Sequence, residues 1–113
     1  MKITLPTKIQ SQNKRDKLHW ATRSKQRQHW YTQLRMRLKP KEPPTALVSI
    51  RIVSYRNRLL DYANLVGGDC KPIIDCLVQL GYIKDDSPRW FTCEYQQVQV
   101  ARNEERTEIV LPS

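Results

Sequence analysis

Hydrophobic residues recur along the chain with two different periods, and the change of period separates predicted strands from predicted helices. Residues 45–55 are rich in β-branched side chains with partial alternation, which is typical of a strand. Residues 2–5 and 91–101 also alternate, and residues 106–111 are expected to pair back with the latter through a hairpin-like turn at 102–105. Residues 14–39 instead carry Trp30, Leu34 and Leu38 at four-residue spacing, which predicts one long helix or two short ones, capped by Asn13 or Ser24.

A second helix is predicted over residues 69–80. Its start is marked by Asp69 as N-cap and by Pro72 in the first turn, and its end by Gly81. The order β-α-β-α-β-β then predicts an α+β (α/β-like) fold: a single small domain over residues 1–113, with a mixed β-sheet packed with two or three helices.

Composition narrows the classes of protein that fit. The chain has 113 residues with 39% hydrophobic positions, and no apolar run approaches the length of a membrane span. Residues 1–7 alternate as a strand would and lack the apolar core of a signal peptide, so a cytoplasmic location is expected, with no membrane partner. Cys70, Cys76 and Cys93 are odd in number and lack C-x-x-C spacing, which predicts free thiols.

Charge is distributed unevenly along the chain. Residues 1–60 hold 15 Lys and Arg against two acids, whereas residues 61–113 hold 5 Lys and Arg against 9 acids, within a net charge of +9. A basic half beside an acidic one favours nucleic-acid binding over a surface that is basic only for solubility. The side chains expected to contact DNA are Arg23, Lys25, Arg27, Arg35, Arg37, Arg56 and Arg58.

Two acidic groups flank the second predicted helix. Asp61 is expected at a strand exit, and Asp85-Asp86 follow the helix, which itself carries Lys71 and Asp75 four residues apart on one face. Carboxylates brought together at a sheet edge could hold one or two Mg²⁺ ions for phosphodiester hydrolysis, with the lysine on a phosphate oxygen. The alternative is that these residues merely decorate turns, where Asp is common. Residue types alone leave the two readings even.

The same stretch resembles the RusA family of Holliday-junction resolvases. That family's pattern is D-x-D-N-L, then a lysine and an aspartate four apart on a helix, a glycine, and a D-D pair. Here it is matched by Asp61 with Asn64-Leu65, then by Lys71, Asp75, Gly81 and Asp85-Asp86. The I-T-L-P opening is also similar to the family's first strand, and about thirty residues are motif-specific.

The resemblance implies a Mg²⁺-dependent endodeoxyribonuclease of phage or prophage type that cuts four-way DNA junctions as a homodimer in a bacterial host cell. Mn²⁺ could replace Mg²⁺. Asp61 and Asp86 would bind the metal, and Lys71 would contact the scissile phosphate. Asn64, Asp75 and Asp85 would support the site.

This sequence departs from the family pattern at two places. Ala63 replaces the second aspartate, a metal ligand, and a methyl group cannot coordinate Mg²⁺. Residues 66–70 lengthen the path to Lys71 by four residues and add Asp69, which could fill the missing ligand position or could displace the lysine. The sequence is therefore consistent with an inactivated variant, with a natural junction binder, or with an enzyme in which another acid, Asp69 or Asp85, substitutes.

Three classes of function remain open at this stage. The first is a junction-selective nuclease, active or weakened by Ala63. The second is a non-catalytic junction-binding or DNA-binding protein of phage origin. The third is a structural phage protein whose basic half packs against DNA.

Overall fold

Four strands form one mixed sheet in the order β1-β4-β2-β3 in the computed structural model, which describes residues 1–112. The strands are β1 (Lys2–Leu5), β2 (Val48–Arg56), β3 (Phe91–Gln99) and β4 (Arg106–Val110). The helices are α1 (Gln12–Asp16), α2 (Trp20–Arg35), α3 (Tyr62–Val66) and α4 (Cys70–Leu80), and a 3₁₀ turn covers Arg102–Glu104.

The strand β2 organises the sheet because it has a neighbour on each side. It runs parallel to β3, with Ile50 opposite Cys93, and antiparallel to β4, with Ile52 opposite Ile109. The parallel pairing follows from the crossover through α3 and α4, since parallel strands need a long connection.

The predicted hairpin between the last two strands is wrong. β4 pairs with β1 and β2 instead of β3. The chain leaves β3 at Val100, whose N–H donates to the carbonyl of Arg56 at the end of β2, and the 3₁₀ turn then carries it across that end. The next strand therefore lies on the opposite edge of β2.

The first predicted helix is divided in two, and neither predicted N-cap is right. Ser11 caps α1 by accepting a hydrogen bond from the Lys14 N–H, and His19 caps α2 by accepting from the Ala21 N–H. On α2, Trp30 and Leu34 are buried as the four-residue spacing predicted. They join one core cluster with residues from β2 and from α4, and each fully buried large side chain contributes roughly 1.5–3 kcal/mol.

The helix α4 has the predicted bounds. Asp69 is its N-cap residue, and Gly81 ends it in the left-handed conformation, with φ of 89°. A Cβ at Gly81 would collide with the carbonyl oxygen of Lys41, whose own N–H donates to the Leu80 carbonyl. Only glycine satisfies both requirements at this position.

The α+β class is confirmed, with a mixed sheet in one small domain. The element order differs from the predicted one because the first predicted helical region holds two helices, and because α3 forms before the second predicted helix, in residues that were not predicted to be helical. Among the helices of residues 1–112, none combines the length and the apolar character that crossing a membrane requires.

Candidate functional site

One face of α4 borders a shallow depression of about 210 Å³. Lys71 and Asp75 lie on its floor, one helical turn apart, and Asp86 reaches it from the turn that follows the helix. Its walls include the rings of Phe91 and Tyr95 from β3. The predicted meeting of helix and return turn therefore occurs for these three charged residues.

Asp61 is not part of the lining of this depression. β2 ends at Arg56, so the predicted strand exit at Asp61 is wrong, and the residue is instead the N-cap of α3. Its Oδ1 accepts a 2.9 Å hydrogen bond from the backbone N–H of Asn64, and its Oδ2 accepts a 3.1 Å bond from the Asn64 side-chain amide. Asp is among the residues preferred at an N-cap, because its short side chain reaches the backbone N–H three residues later.

The residue that follows Asp61 contacts a side chain that lines the depression. The ring of the next residue, Tyr62, meets the ring of Tyr95 edge to face, with centroids 6.3 Å apart. Asn64, predicted to support the site, binds both carboxylate oxygens of Asp61. Asp61 and Asn64 thus form a polar pair of their own, outside the lining of the Lys71–Asp86 depression.

The two adjacent acids after α4 have different roles. Asp86 lines the depression, whereas Asp85 uses its Oδ1 to accept a 2.9 Å hydrogen bond from the Asp86 backbone N–H. Both side chains are exposed. Asp85 therefore stabilises the local turn.

Asp69 lies away from the depression. It is only 2% exposed, its Oδ2 accepts a hydrogen bond from the Gln10 N–H, and it borders a separate cavity beside α2. Burial raises the pKa of this carboxyl, an effect partly opposed by the hydrogen bond that it accepts from the Gln10 N–H. The structure does not bring Asp69 to the position that Ala63 leaves without a ligand.

The carboxylates of the depression could bind Mg²⁺ only as an ion that has few protein ligands and several waters. Within residues 1–112, no three His, Cys, Asp or Glu side chains converge closely enough to hold a metal ion. Asp75 and Asp86 do share one depression. Because Mg²⁺ commonly keeps several waters and takes one or two carboxylates plus a substrate phosphate, this pair fits one such ion. The arrangement offers no comparable set for a second ion.

Tyr95 is an uncharged member of the lining. Burial is the main cause that raises the pKa of its phenol, so the hydroxyl stays protonated at neutral pH. The three cysteines are free, and burial raises the pKa of Cys76 and of Cys93 to about 11. Burial also raises the pKa of Cys70. None of these thiols is activated as a nucleophile in the described chain.

Most of the basic residues predicted to contact DNA are exposed, but two of them are held by other parts of the protein. Arg58 is exposed after β2, and four residues are exposed along α2: Arg23, Lys25, Arg27 and Arg35. Arg37 is exposed but engaged, donating to the Thr4 carbonyl and to Gln33.

Arg56 is buried, which the sequence did not predict. Its Nη1 donates to the carbonyl of Ile9 at 2.8 Å and its Nε to the carbonyl of Arg58 at 2.6 Å. Burial lowers the pKa of this guanidinium, against the opposing influence of the Glu105 carboxylate. The residue is fixed in place by the backbone before any ligand arrives.

A basic cavity of about 240 Å³ surrounds this fixed arginine. Glu105 is the one acidic residue in its lining, and it already bonds Lys8 at 3.4 Å and the Asn57 N–H at 3.0 Å. The cations of the lining are Lys8, Arg56, Arg58 and Arg102. An excess of positive charge around an immobilised guanidinium is suited to a phosphate group.

Lys8 and Arg102 were not singled out from the sequence because they are distant in the chain from each other and from residues 56–58. Only the fold brings the ends of β2 and β3 beside the segment that follows β1. Comparison of the chain with protein-family models, with curated proteins and with solved structures gives no match.

Proposed function

We propose that this protein is a Mg²⁺-dependent, structure-selective endodeoxyribonuclease that resolves four-way DNA junctions, with turnover weakened by Ala63. The observation that carries the proposal is the shared depression of Lys71, Asp75 and Asp86, residues separated in sequence and matched to the resolvase motif. The protein would work in the cytoplasm of a bacterial host cell.

The chain's own groups have distinct tasks in this proposal. The Lys71 ammonium binds a non-bridging oxygen of the scissile phosphate and stabilises the charge that develops there. Tyr95, which lines the depression, stays a neutral phenol and adds no negative charge beside the phosphate. The rings of Phe91 and Tyr95 keep bulk water from one side of the phosphate.

Asp75 and Asp86 would hold the metal ion, with water and the substrate phosphate completing its shell. When bound, Mg²⁺ supplies an activated water and charge neutralisation at the leaving oxygen. Asp85 positions Asp86 through the backbone bond that it accepts. Asp61 lies outside the lining of the depression and accepts hydrogen bonds from Asn64, so it joins this group only if its segment moves toward Asp86.

The basic surfaces would place the junction. The cavity around Arg56 takes a backbone phosphate, and the exposed cations of α2 extend the contact along a DNA arm. A four-way junction has two-fold symmetry and needs two nicks, so a homodimer would present two such depressions.

A non-catalytic junction-binding protein is the second candidate. One specific observation favours it: both carboxylate oxygens of Asp61 accept hydrogen bonds from Asn64 without any metal. The neighbouring Ala63 offers no metal ligand. Such a protein would keep the basic cavity and the cations of α2 while the acids remained as turn and cap residues.

Nicking of a synthetic four-way junction, with a linear duplex of the same sequence as control, separates the two candidates. The nuclease predicts paired nicks that require Mg²⁺ and are absent with the duplex. The binder predicts selective binding without nicks. Both predict that affinity falls with salt with a log–log slope of about −5 to −9, from roughly six to ten phosphate contacts. A slope near zero, or equal affinity for junction and duplex, contradicts both.

A further inference from the structure

A second cavity, of about 220 Å³, lies between α2 and the segment that joins β1 to α1. Three of its lining residues present buried side-chain oxygens that have no hydrogen-bond partner within the described chain. These atoms are Gln10 Oε1, Gln26 Oε1 and Asp69 Oδ1. All three are acceptors.

Unpaired acceptors of this kind are costly. A buried polar atom without a partner destabilises the protein by about 1–3 kcal/mol, and a charged one by more. Asp69 is the extreme case because its side chain is 2% exposed and only its Oδ2 is bonded, to the Gln10 N–H. A ligand that completes this cavity must therefore bring several hydrogen-bond donors.

The rim of the cavity has the opposite character. Lys8 and Lys25 line it and are exposed, so a bare cation entering here would meet two like charges. The favoured ligand carries donors at its inner end and an anionic group at its outer end. A nucleotide has this layout, because the base supplies the donors and the phosphate the anion.

The two cavities on this side of the molecule are adjacent. Lys8 lines both the acceptor-lined cavity and the basic cavity around Arg56. Arg56 also bonds the carbonyl of Ile9, the residue between Lys8 and Gln10. A phosphate on the basic side and a base on the acceptor side would thus be separated by a single backbone segment.

We propose that the acceptor-lined cavity binds an unpaired guanine base of the DNA. Guanine is the base with three N–H donors on one edge, at N1 and at the 2-amino group, and these match the three unpaired oxygens in number. Its O6 would then accept from a rim lysine. The inference rests on the proposed DNA-binding function, and it adds that the protein captures one unstacked guanine near the junction, where bases are least costly to expose.

Titration with deoxynucleoside 5′-monophosphates, followed by the amide NMR signals of Gln10 and Asp69, tests this proposal without a junction and without Mg²⁺. We expect dGMP to bind about tenfold more tightly than dAMP, dCMP or dTMP, with dIMP weakened because it lacks the 2-amino group. Asp69→Asn, which keeps the side-chain size, should abolish the preference for dGMP. Asp16→Asn, the control variant, neutralises an exposed carboxylate at the end of α1 and should leave the preference unchanged.

Equal binding of the four nucleotides, as a cavity holding only water would give, overturns the proposal. So does a dGMP preference that survives Asp69→Asn. Gln26→Met provides a second variant, which removes the acceptor that α2 contributes to the cavity without touching the Asp69–Gln10 contact, and it too should reduce the preference. If the preference is absent while junction binding persists, this proposal fails and the DNA-binding function stands; if junction binding is absent as well, both fail.

Discussion

The backbone N–H of Gln10 donates a 2.9 Å hydrogen bond to Asp69 Oδ2, and the backbone N–H of Asp69 donates a 3.1 Å bond back to the Gln10 carbonyl. This reciprocal pair joins the segment before α1 to the start of α4 across 59 residues of sequence. It requires close backbone approach, since a Cβ on the neighbouring Gly68 would collide with the same carbonyl. The helix N-cap is thus held by a distant segment, and its carboxylate is buried as a result.

Replacing Asp69 by Asn should change the pH dependence of stability. Burial raises the pKa of Asp69 in the folded protein above its ordinary value of 3.8. The stability that this group contributes is therefore fully present below its unfolded pKa and is lost as the pH rises through the folded pKa. Asn has no such loss, so the melting temperature of Asp69→Asn relative to wild type should be higher at pH 7 than at pH 3. Thermal unfolding across this range measures it, and a difference that stays constant or falls with pH would contradict the account.

Arg56 and Arg58 should separate stability from DNA binding. Arg56→Met removes the donor to the buried Ile9 carbonyl, so we expect a loss of about 1–3 kcal/mol in the free energy of unfolding. Arg58→Met removes an exposed side chain and should stay within about 0.5 kcal/mol of wild type. Both should weaken junction binding. Urea unfolding measures the stability of each variant, and filter binding measures its affinity for the junction. Equal stabilities of the two variants would show that the buried Arg56 does not stabilise the fold.

Local sequence signals predicted the elements whose boundaries depend on nearby residues. The bounds of α4 follow from Pro72 in the first turn and Gly81 at the end, and both requirements are met within the helix. The pairing of β4 could not be read in this way, because it depends on where the chain crosses the end of β2. Strand partners separated by a crossover are set by the whole sheet.

The candidate site was predictable in part for the same reason. Lys71 and Asp75 share a helix face by spacing alone, and Asp86 follows from the return of the chain. Asp61 was misplaced because its cap to Asn64 competes with strand continuation. The acceptor-lined cavity was missed because Gln10 and Asp69 meet only through tertiary contacts. One signal was available in the sequence: Asp69 is the single charged residue in the uncharged run from Leu65 to Cys70.

The protein should form a homodimer. Several large apolar side chains are exposed on the single chain, including Trp20 at 69%, Met36 at 73% and Tyr62 at 62%. A two-fold substrate also requires two active depressions. Sedimentation at micromolar concentration should give about twice the 13.4 kDa chain mass. A chain that stays monomeric even on junction DNA would rule out coordinated symmetric nicking.

Ala63→Asp should raise Mg²⁺-dependent junction nicking by about 10–100-fold, the range associated with lost metal-site partners. Position 63 lies in the first turn of α3, where a carboxylate also suits the helix dipole. Asp61 lies two residues earlier, as the extended N-cap of the same helix. Ala63→Asn is the matched control, with the same size and no charge. An equal gain from both variants would exclude a repaired metal site.

The proposed nuclease site is tested most directly by comparing Asp86→Asn with Asp85→Asn on an end-labelled four-way junction. The comparison is made in both the wild-type and the Ala63→Asp backgrounds. Asp86 lines the depression with Lys71, whereas Asp85 bonds only the adjacent backbone N–H, and an Asn oxygen can still accept that bond. We expect paired Mg²⁺-dependent nicks that fall by about 10–100-fold or more with Asp86→Asn and change little with Asp85→Asn. Equal losses from the two variants, or no nicking above background in either parent, would contradict it.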